Sequence, residues 1–173
     1  MARNIEIKAR IDSVEALMQP AAAVAGTAPV EILQDDTFFN CTEGRLKLRA
    51  FSSGEGELIF YRRADQQGPK ESFYLRSPTS TPDSLRELLS LAHGVAGRVR
   101  KHRTLFLAGR TRIHLDRVQG LGDFLELEVV LADGHSAGDA ETEAYDLMAR
   151  LRVERSRLVA VAYVDLLRAG SAS

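Results

Sequence analysis

The sequence predicts an α+β protein whose short antiparallel strands, about eight in number, close into a barrel with a charged interior and helices outside it. Polar and apolar residues alternate with a period of two in about six stretches, as in strands with one polar face. Tight turns, several of them with glycine, separate these stretches, which is typical of antiparallel meanders. The polar faces carry too many charges for an ordinary core, so they either face bulk water or line a wet lumen. Closure into a barrel would also remove the exposed edges of the sheet.

The N-terminal half is predicted to be mostly strand. Residues 4–10 alternate strictly between polar and apolar side chains. Ser13 can cap a short helix over residues 14–19, which Pro20 would end before a loop over residues 20–30. Further strands are expected over residues 31–39, 45–49, 57–63 and 70–76.

The C-terminal half begins and ends with helices. A helix over residues 84–92 follows Pro82, a residue type favoured in the first helical turn. The expected strands cover residues 98–107, 111–118 and 124–130. Two amphipathic helices are expected over residues 139–151 and 155–167.

Charge and cysteine content limit the binding partners and the cellular compartment that we expect for this protein. A net charge of −1 gives no basic excess that would attract nucleic acid or a membrane surface. The single cysteine, Cys41, suits a reducing compartment, and no signal peptide or membrane-spanning apolar run is apparent. We therefore expect one domain over residues 1–173, in the cytoplasm, without nucleic-acid or membrane partners.

Acidic side chains on the first and last strands are candidate metal ligands. Glu126 and Glu128 are two residues apart, so both point to one side of a strand, roughly 7 Å apart along it. Such hard oxygen donors suit Mg²⁺ or Mn²⁺, which take one or two carboxylates together with phosphate oxygens. The acids on the polar faces are Glu6, Asp116, Glu126 and Glu128.

Basic side chains on the strands between them are candidate phosphate ligands. They are Lys8, Lys47, Arg49, Arg63, Lys70, Lys101, Arg103 and Arg112. They exceed the acids by about four charges, and a confined lumen with that excess requires an anion. A triphosphate carries about that charge, and guanidinium groups match phosphate oxygens. The pattern therefore predicts a cavity that holds a polyphosphate and a divalent metal.

Taken singly, each charged strand is better explained as a solvated surface with ion pairs. The segregation of signs argues against that explanation for the set as a whole. We interpret His114 as a hydrogen-bonding neighbour of the site rather than a metal ligand. The pair Asp35-Asp36 is interpreted as an acidic turn before a strand, and Tyr145 and Tyr163 are interpreted as packing residues.

Together these residues resemble the CYTH domain family, or triphosphate tunnel metalloenzymes. The family includes class IV adenylyl cyclases, thiamine triphosphatases and inorganic tripolyphosphatases. The resemblance covers nearly the whole chain and includes Ile5-Glu6-Ile7-Lys8, Arg45-Leu46-Lys47-Leu48-Arg49 and Phe124-Leu125-Glu126-Leu127-Glu128. Other matching stretches are residues 34–39, 58–63, 70–74, 99–103, 111–116 and 163–167.

The resemblance implies an eight-stranded antiparallel tunnel with assigned roles for its charged residues. Glu6, Glu126 and Glu128 would bind Mg²⁺ or Mn²⁺, and Asp116 is a further candidate. Lys8 and Glu6 would be the catalytic residues. The phosphates would be held by Lys8, Lys47, Arg49, Arg63, Lys101, Arg103 and Arg112, with Lys70 as a further candidate.

Two positions depart from the family pattern. The motif Glu-x-Glu-x-Lys is Asn4-x-Glu6-x-Lys8 here, so an amide, which can still offer a carbonyl oxygen, replaces one metal carboxylate. Phe38 and Phe39 stand where thiamine triphosphatases carry tyrosines. A lysine–tyrosine pair that activates water is therefore not available at those positions.

The leading hypothesis is an enzyme that hydrolyses a phosphoanhydride bond of a small triphosphate. A class IV adenylyl cyclase, which forms cyclic AMP and pyrophosphate, would use the same residues with the substrate threaded differently. A non-catalytic binder of polyphosphate or nucleotide is the third hypothesis, and Asn4 is its main support. A homodimer is compatible with all three.

Overall fold

The computed structural model describes residues 2–132, 134 and 136–171, and the described strands form one closed antiparallel barrel. The strands are β1 (Ala2–Arg10), β2 (Val30–Phe39), β3 (Arg45–Phe51), β4 (Gly56–Arg63), β5 (Lys70–Thr79), β6 (Val95–Ala108), β7 (Thr111–Val118) and β8 (Gly122–Leu131). Around the barrel they follow the order β1-β5-β4-β3-β2-β6-β7-β8, and β8 pairs with β1. The predicted eight-stranded α+β barrel is confirmed.

Helices cover the outside of this barrel. They are α1 (Val14–Ala25), α2 (Pro82–His93), α3 (Ala137–Arg150) and α4 (Tyr163–Ser171), with a short 3-10 helix at Arg155–Arg157. Helix α1 packs on β6 and β7, α3 on β8 and β1, α2 on β2 and β3, and α4 on β6. In the described part of the chain, no helix is long and apolar enough to cross a membrane.

The period-two alternation decides which side chains face these helices. On β1, Ile5, Ile7 and Ala9 point outward and are fully buried. They join Leu17 of α1 and Leu147 of α3 in one apolar cluster. Burial of each large apolar side chain contributes about 1.5–3 kcal/mol. The apolar core therefore lies outside the barrel wall, and the alternate residues of each strand are left to face inward.

Helix α1 is longer than the sequence predicts. It continues through Pro20, although proline removes one helical hydrogen bond, so the expected loop over residues 20–30 is wrong in its first part. Ala21 is fully buried against the barrel, and the alanine-rich sequence has high helix propensity. The helix ends at Gly26, which adopts a left-handed conformation and donates its N–H to the carbonyl of Ala22.

The helix predicted over residues 155–167 is wrong in its central part. The chain there is extended: Leu158 forms a bridge with Ala9, and the Val159 N–H donates to the Lys8 carbonyl at 2.9 Å. Pairing with β1 satisfies these backbone groups and overrides the helical periodicity of the sequence. This segment leads directly into α4.

Apolar side chains fill one end of the barrel. Those that belong to strands point into the barrel, as the charged lumen residues do. The polar part of the lumen therefore ends at these apolar side chains. We call this cluster the plug, and it consists of Phe38, Val99, Val118, Phe124, Ala162, Tyr163 and Val164.

Candidate functional site

The barrel encloses a cavity of about 270 Å³, and each of its eight strands contributes inward-facing side chains. Eight basic side chains line it: Lys8, Lys47, Arg49, Arg63, Arg76, Lys101, Arg103 and Arg112. Four carboxylates line it as well: Glu6, Asp36, Glu126 and Glu128. The lining side chains therefore carry a surplus of basic groups over acidic ones, as the sequence pattern suggests.

Two of the candidate residues do not line the cavity. Lys70 is buried, and its Nζ donates to the carbonyls of Gln66 at 3.2 Å and Ala160 at 2.6 Å. Asp116 is fully buried behind Arg103. Lys70 therefore connects two loops by hydrogen bonds instead of lining the cavity. Arg76, in contrast, lines the cavity and was not among the residues predicted from the sequence.

The strand pair β1 and β8 forms the acidic wall of the cavity. Glu6 lies directly opposite Glu128, and Lys8 lies opposite Glu126. The Nζ atom of Lys8 is 3.9 Å from Oε1 of Glu6 and 3.8 Å from Oε2 of Glu126. Arg63 donates to Oε1 of Glu6. Each acid on this wall therefore has a basic neighbour.

Among the described residues, one group of three side chains has the spacing of a metal site. His114, Glu126 and Glu128 each offer a ligand atom, and these atoms lie within 4.8 Å of one another. Asn4 Oδ1 and His114 Nδ1 are buried in the same cavity without a hydrogen-bond partner. Unpaired oxygen and nitrogen acceptors beside two carboxylates fit a divalent cation.

Asp36 is a lumen residue that the sequence interpretation assigned wrongly. It lies within β2 rather than in a turn, and it is buried. It accepts bonds from Lys47 Nζ at 2.8 Å and from two guanidinium nitrogens of Arg49 at 2.8 Å each. The sequence did contain a sign of this position: Gln34, Asp36 and Phe38 are two residues apart, so they lie on the same face of the strand, and all three line the cavity.

Asp116 and Tyr163 form a second fixed network beneath the cavity. Arg103 donates two bonds of 2.6 Å to Asp116, and the Tyr163 hydroxyl donates a third at 3.0 Å. The Tyr163 ring lies 4.3 Å from Lys8 Nζ and 5.0 Å from Lys101 Nζ, in cation–π geometry. Tyr163 therefore packs in the plug, as expected, but it also supports two lumen cations.

Burial changes the protonation of several lumen groups. Desolvation lowers the pKa of Lys47 to about 7 and that of Lys8 to about 8. It also lowers the pKa of His114 well below its usual value, so the imidazole is neutral near pH 7. Burial alone would raise the pKa of Glu126, but its basic neighbours, first among them Lys8, hold it well below normal. Desolvation and then the charge of Glu126 raise the pKa of Glu128.

The end of the lumen away from the plug has apolar side chains among its polar ones. Ile32 lies six residues along β2 from Phe38, and Leu105 lies six residues along β6 from Val99, which is roughly 20 Å in a strand. Tyr74 lines the same region and accepts a bond from Arg112 at 3.3 Å. This mouth offers apolar and hydrogen-bonding surface to a group attached to a phosphate chain.

Comparison with known proteins agrees with this arrangement. The sequence profile of the CYTH domain matches residues 2–163. Adenylate cyclase CyaB of Aeromonas hydrophila is 23% identical over 177 residues, which is 94% of this chain and 87% of that protein. The PH1012 protein of Pyrococcus horikoshii has a similar structure, with a TM-score of 0.83 and 22% identity over 94% of this chain and 98% of that one.

A protein from Hippeastrum has a similar fold. HpAC1 of Hippeastrum, an adenylyl cyclase by its name and a protein in which triphosphatase activity is dominant, has a TM-score of 0.70 and 13% identity. The match covers 98% of this chain and 96% of that one. The profile match runs from β1 to the start of α4 and so includes every strand of the barrel. The chain belongs to the CYTH domain family.

Proposed function

We propose that this protein binds a small triphosphate in the barrel and hydrolyses one of its phosphoanhydride bonds with a divalent metal, Mg²⁺ or Mn²⁺. The charge of the lumen carries the proposal, since eight basic side chains and four carboxylates line about 270 Å³, and basic groups still outnumber acidic ones when Asp116 behind Arg103 and Glu57 beside Arg76 are counted. A triphosphate carries about four negative charges and would pair with these basic groups. The triphosphatase activity of HpAC1 is in keeping with this reaction.

The basic residues would position the phosphate chain. Asp36 holds Arg49 by two parallel bonds, and Asp116 holds Arg103 in the same way. Their guanidinium groups are thus fixed before a substrate enters. Phosphoryl transfer depends mostly on such positioning and on charge neutralisation.

The metal would be held on the acidic wall. Glu126 and Glu128 supply the carboxylates there, and Glu6 lies across from Glu128 on the neighbouring strand. A bound divalent ion would offset charge on the phosphate oxygens. Both oxygens of Asp116 are engaged by Arg103, so we assign Asp116 to positioning that arginine rather than to the metal.

Lys8 is our candidate for proton transfer, with Glu6 as its partner. Its Nζ lies within 4 Å of Glu6 and Glu126, and desolvation lowers its pKa to about 8. A group with a pKa near the working pH can hold a proton and release it to a departing phosphate oxygen. Glu6, fixed by Arg63, would orient the ammonium group.

The test is incubation with tripolyphosphate, thiamine triphosphate and ATP, each with Mg²⁺ or Mn²⁺, followed by analysis of the products. Release of orthophosphate is the expected result. Glu126→Gln and Glu128→Gln should each lower both turnover and metal affinity. Unchanged values in both variants would contradict the placement of the metal.

Two alternatives have specific support. The name of the CyaB relative and the apolar side chains Ile32 and Leu105 in the cavity favour an adenylyl cyclase, which would release pyrophosphate and a cyclic nucleotide from ATP. The amide at Asn4, in place of the first carboxylate of the family motif, favours a binder without turnover. The same incubation separates these outcomes from the hydrolase.

The cellular compartment of the protein is proposed from the chemistry of its cysteine. Cys41 is a free, exposed thiol, which suits a reducing compartment such as the cytoplasm. The single domain over residues 1–173 remains a prediction from the sequence, and so does the homodimer.

A further inference from the structure

The wall formed by β7 and β8 presents donor atoms of two chemical kinds. His114 on β7 lies directly opposite Glu126 on β8, and Arg112 lies opposite Glu128. His114, Glu126 and Glu128 bring their ligand atoms within 4.8 Å of one another. Donors on opposite sides of a small divalent ion are roughly 4 Å apart. A slight movement of these side chains would therefore let one ion contact all three.

His114 is buried next to Glu128 in the described part of the chain. Its side chain is 5% exposed, and its Nδ1 is buried without a hydrogen-bond partner, 3.9 Å from Oε1 of Glu128. A buried and unpaired polar atom is costly, and native structures usually explain it by an ion or a water molecule. An imidazole nitrogen without a hydrogen-bond partner offers a lone pair of the kind that binds a metal ion.

One of the two carboxylate ligands, Glu128, is already oriented towards this histidine. Arg112 binds Oε2 of Glu128 at 2.8 Å, and Oε1 of the same group faces His114. Glu6, by contrast, is engaged by Arg63 and is not part of the group of three. The first strand of the barrel therefore contributes little negative charge to the metal, all the more because position 4 is Asn4.

We propose that His114 is a direct ligand of the metal in this lumen, together with Glu126 and Glu128. The proposal deepens the proposed function, since it specifies how the same cavity binds its metal. Imidazole nitrogen is a good ligand for first-row transition ions and a poor one for Mg²⁺. The site therefore favours Co²⁺ and Mn²⁺ over Mg²⁺, which differs from a site built of carboxylates alone.

The decisive experiment uses the intact protein with metal and without any phosphate compound. Pulsed electron paramagnetic resonance of bound Mn²⁺ should show coupling to a histidine nitrogen, and His114→Gln should abolish it. Calorimetric titration should show that His114→Gln weakens binding of Co²⁺ most, Mn²⁺ less and Mg²⁺ least. The loss for Co²⁺ should be at least roughly tenfold greater than that for Mg²⁺, as the preference order of nitrogen sites requires.

A merely structural histidine would give a different pattern. Its substitution would weaken binding of the three ions equally, and this result would overturn the proposal. Absence of nitrogen coupling in the wild-type protein, or its persistence in His114→Gln, would do the same. Gln34→Leu is the matched control, because Gln34 also has a buried unpaired oxygen in the cavity but lies on β2, two strands from His114. It should leave the coupling and the ratio of the affinities unchanged.

The outcome is separable from that of the proposed function. A wild-type protein that hydrolyses triphosphates but shows no nitrogen coupling would overturn the ligand assignment alone. Nitrogen coupling without any turnover would support the ligand assignment and contradict the hydrolase.

Discussion

At the scale of single residues, Asn4 is the position expected to have the strongest influence on the proposed metal site. Its Oδ1 is buried and unpaired, and its neighbour two positions along β1 is Glu6. We predict that Asn4→Glu tightens Mg²⁺ binding by roughly tenfold and raises turnover, because affinity for hard cations increases with ligand charge. Calorimetry with Mg²⁺ and a phosphate-release assay would measure both. Asn4→Gln is the uncharged control, and a similar gain in it would contradict the electrostatic explanation.

Lys47 makes the stability of the protein depend on pH. Desolvation lowers the pKa of Lys47 in the folded state to about 7, from about 10.5 when unfolded. Below pH 7 the lysine is charged in both states, and the folded state bears the full desolvation penalty. Between pH 7 and pH 10.5 the unfolded state binds the extra proton, so stability rises with pH in this window. Lys47→Met should therefore stabilise the fold most near pH 6 and progressively less towards pH 10, in urea unfolding measured at several pH values.

The same lysine should control phosphate binding in the opposite sense. Only charged Lys47 attracts phosphate, so affinity for tripolyphosphate should fall as pH rises through the value of about 7. Lys47→Arg stays charged throughout this range and should lose that step in the calorimetric pH profile. A profile of Lys47→Arg identical to that of the wild type would show that Lys47 does not contact the ligand.

At the scale of elements, the alternation of polar and apolar residues was sufficient to predict the strands and most lumen residues. It could not show that Asp36 faces its own set of cations, because strand pairing between β2 and β3 brings Lys47 and Arg49 to it. It also could not show that residues 158–159 pair with β1, because the sequence around them has the apolar periodicity of a helix. Both errors concern contacts between segments distant in sequence, which local pattern does not encode.

The plug allows a prediction about how α4 supports the lumen. Tyr163→Phe keeps the ring under Lys8 but removes the hydroxyl bond to Asp116, so it should destabilise the fold by about 1 kcal/mol and change phosphate affinity little. Tyr163→Leu also removes the ring, and it should weaken tripolyphosphate binding as well. Urea unfolding and calorimetry would measure the two effects. Equal affinities in the Phe and Leu variants would contradict a role for the ring in holding Lys8.

At the scale of the whole molecule, the barrel encloses more basic side chains than carboxylates, so several cations share one carboxylate, as Lys47 and Arg49 share Asp36. The surplus of basic side chains in the lumen repels itself and lowers the stability of the empty fold. A polyanion that enters the lumen should reverse this effect. The fold and the ligand are therefore linked, so thermal stability reports on binding without any need for turnover.

We accordingly predict that tripolyphosphate raises the melting temperature. At a concentration about 100 times its dissociation constant it should stabilise the fold by about 2.7 kcal/mol. For a chain of this length that corresponds to roughly 5–10 °C. Sodium chloride at the same ionic strength should give a much smaller increase, because screening does not replace direct ion pairs. Arg49→Gln, which removes one lumen cation held by Asp36, should reduce the increase caused by tripolyphosphate. An equal increase with sodium chloride, or an undiminished one in Arg49→Gln, would show that the anion does not bind inside the barrel.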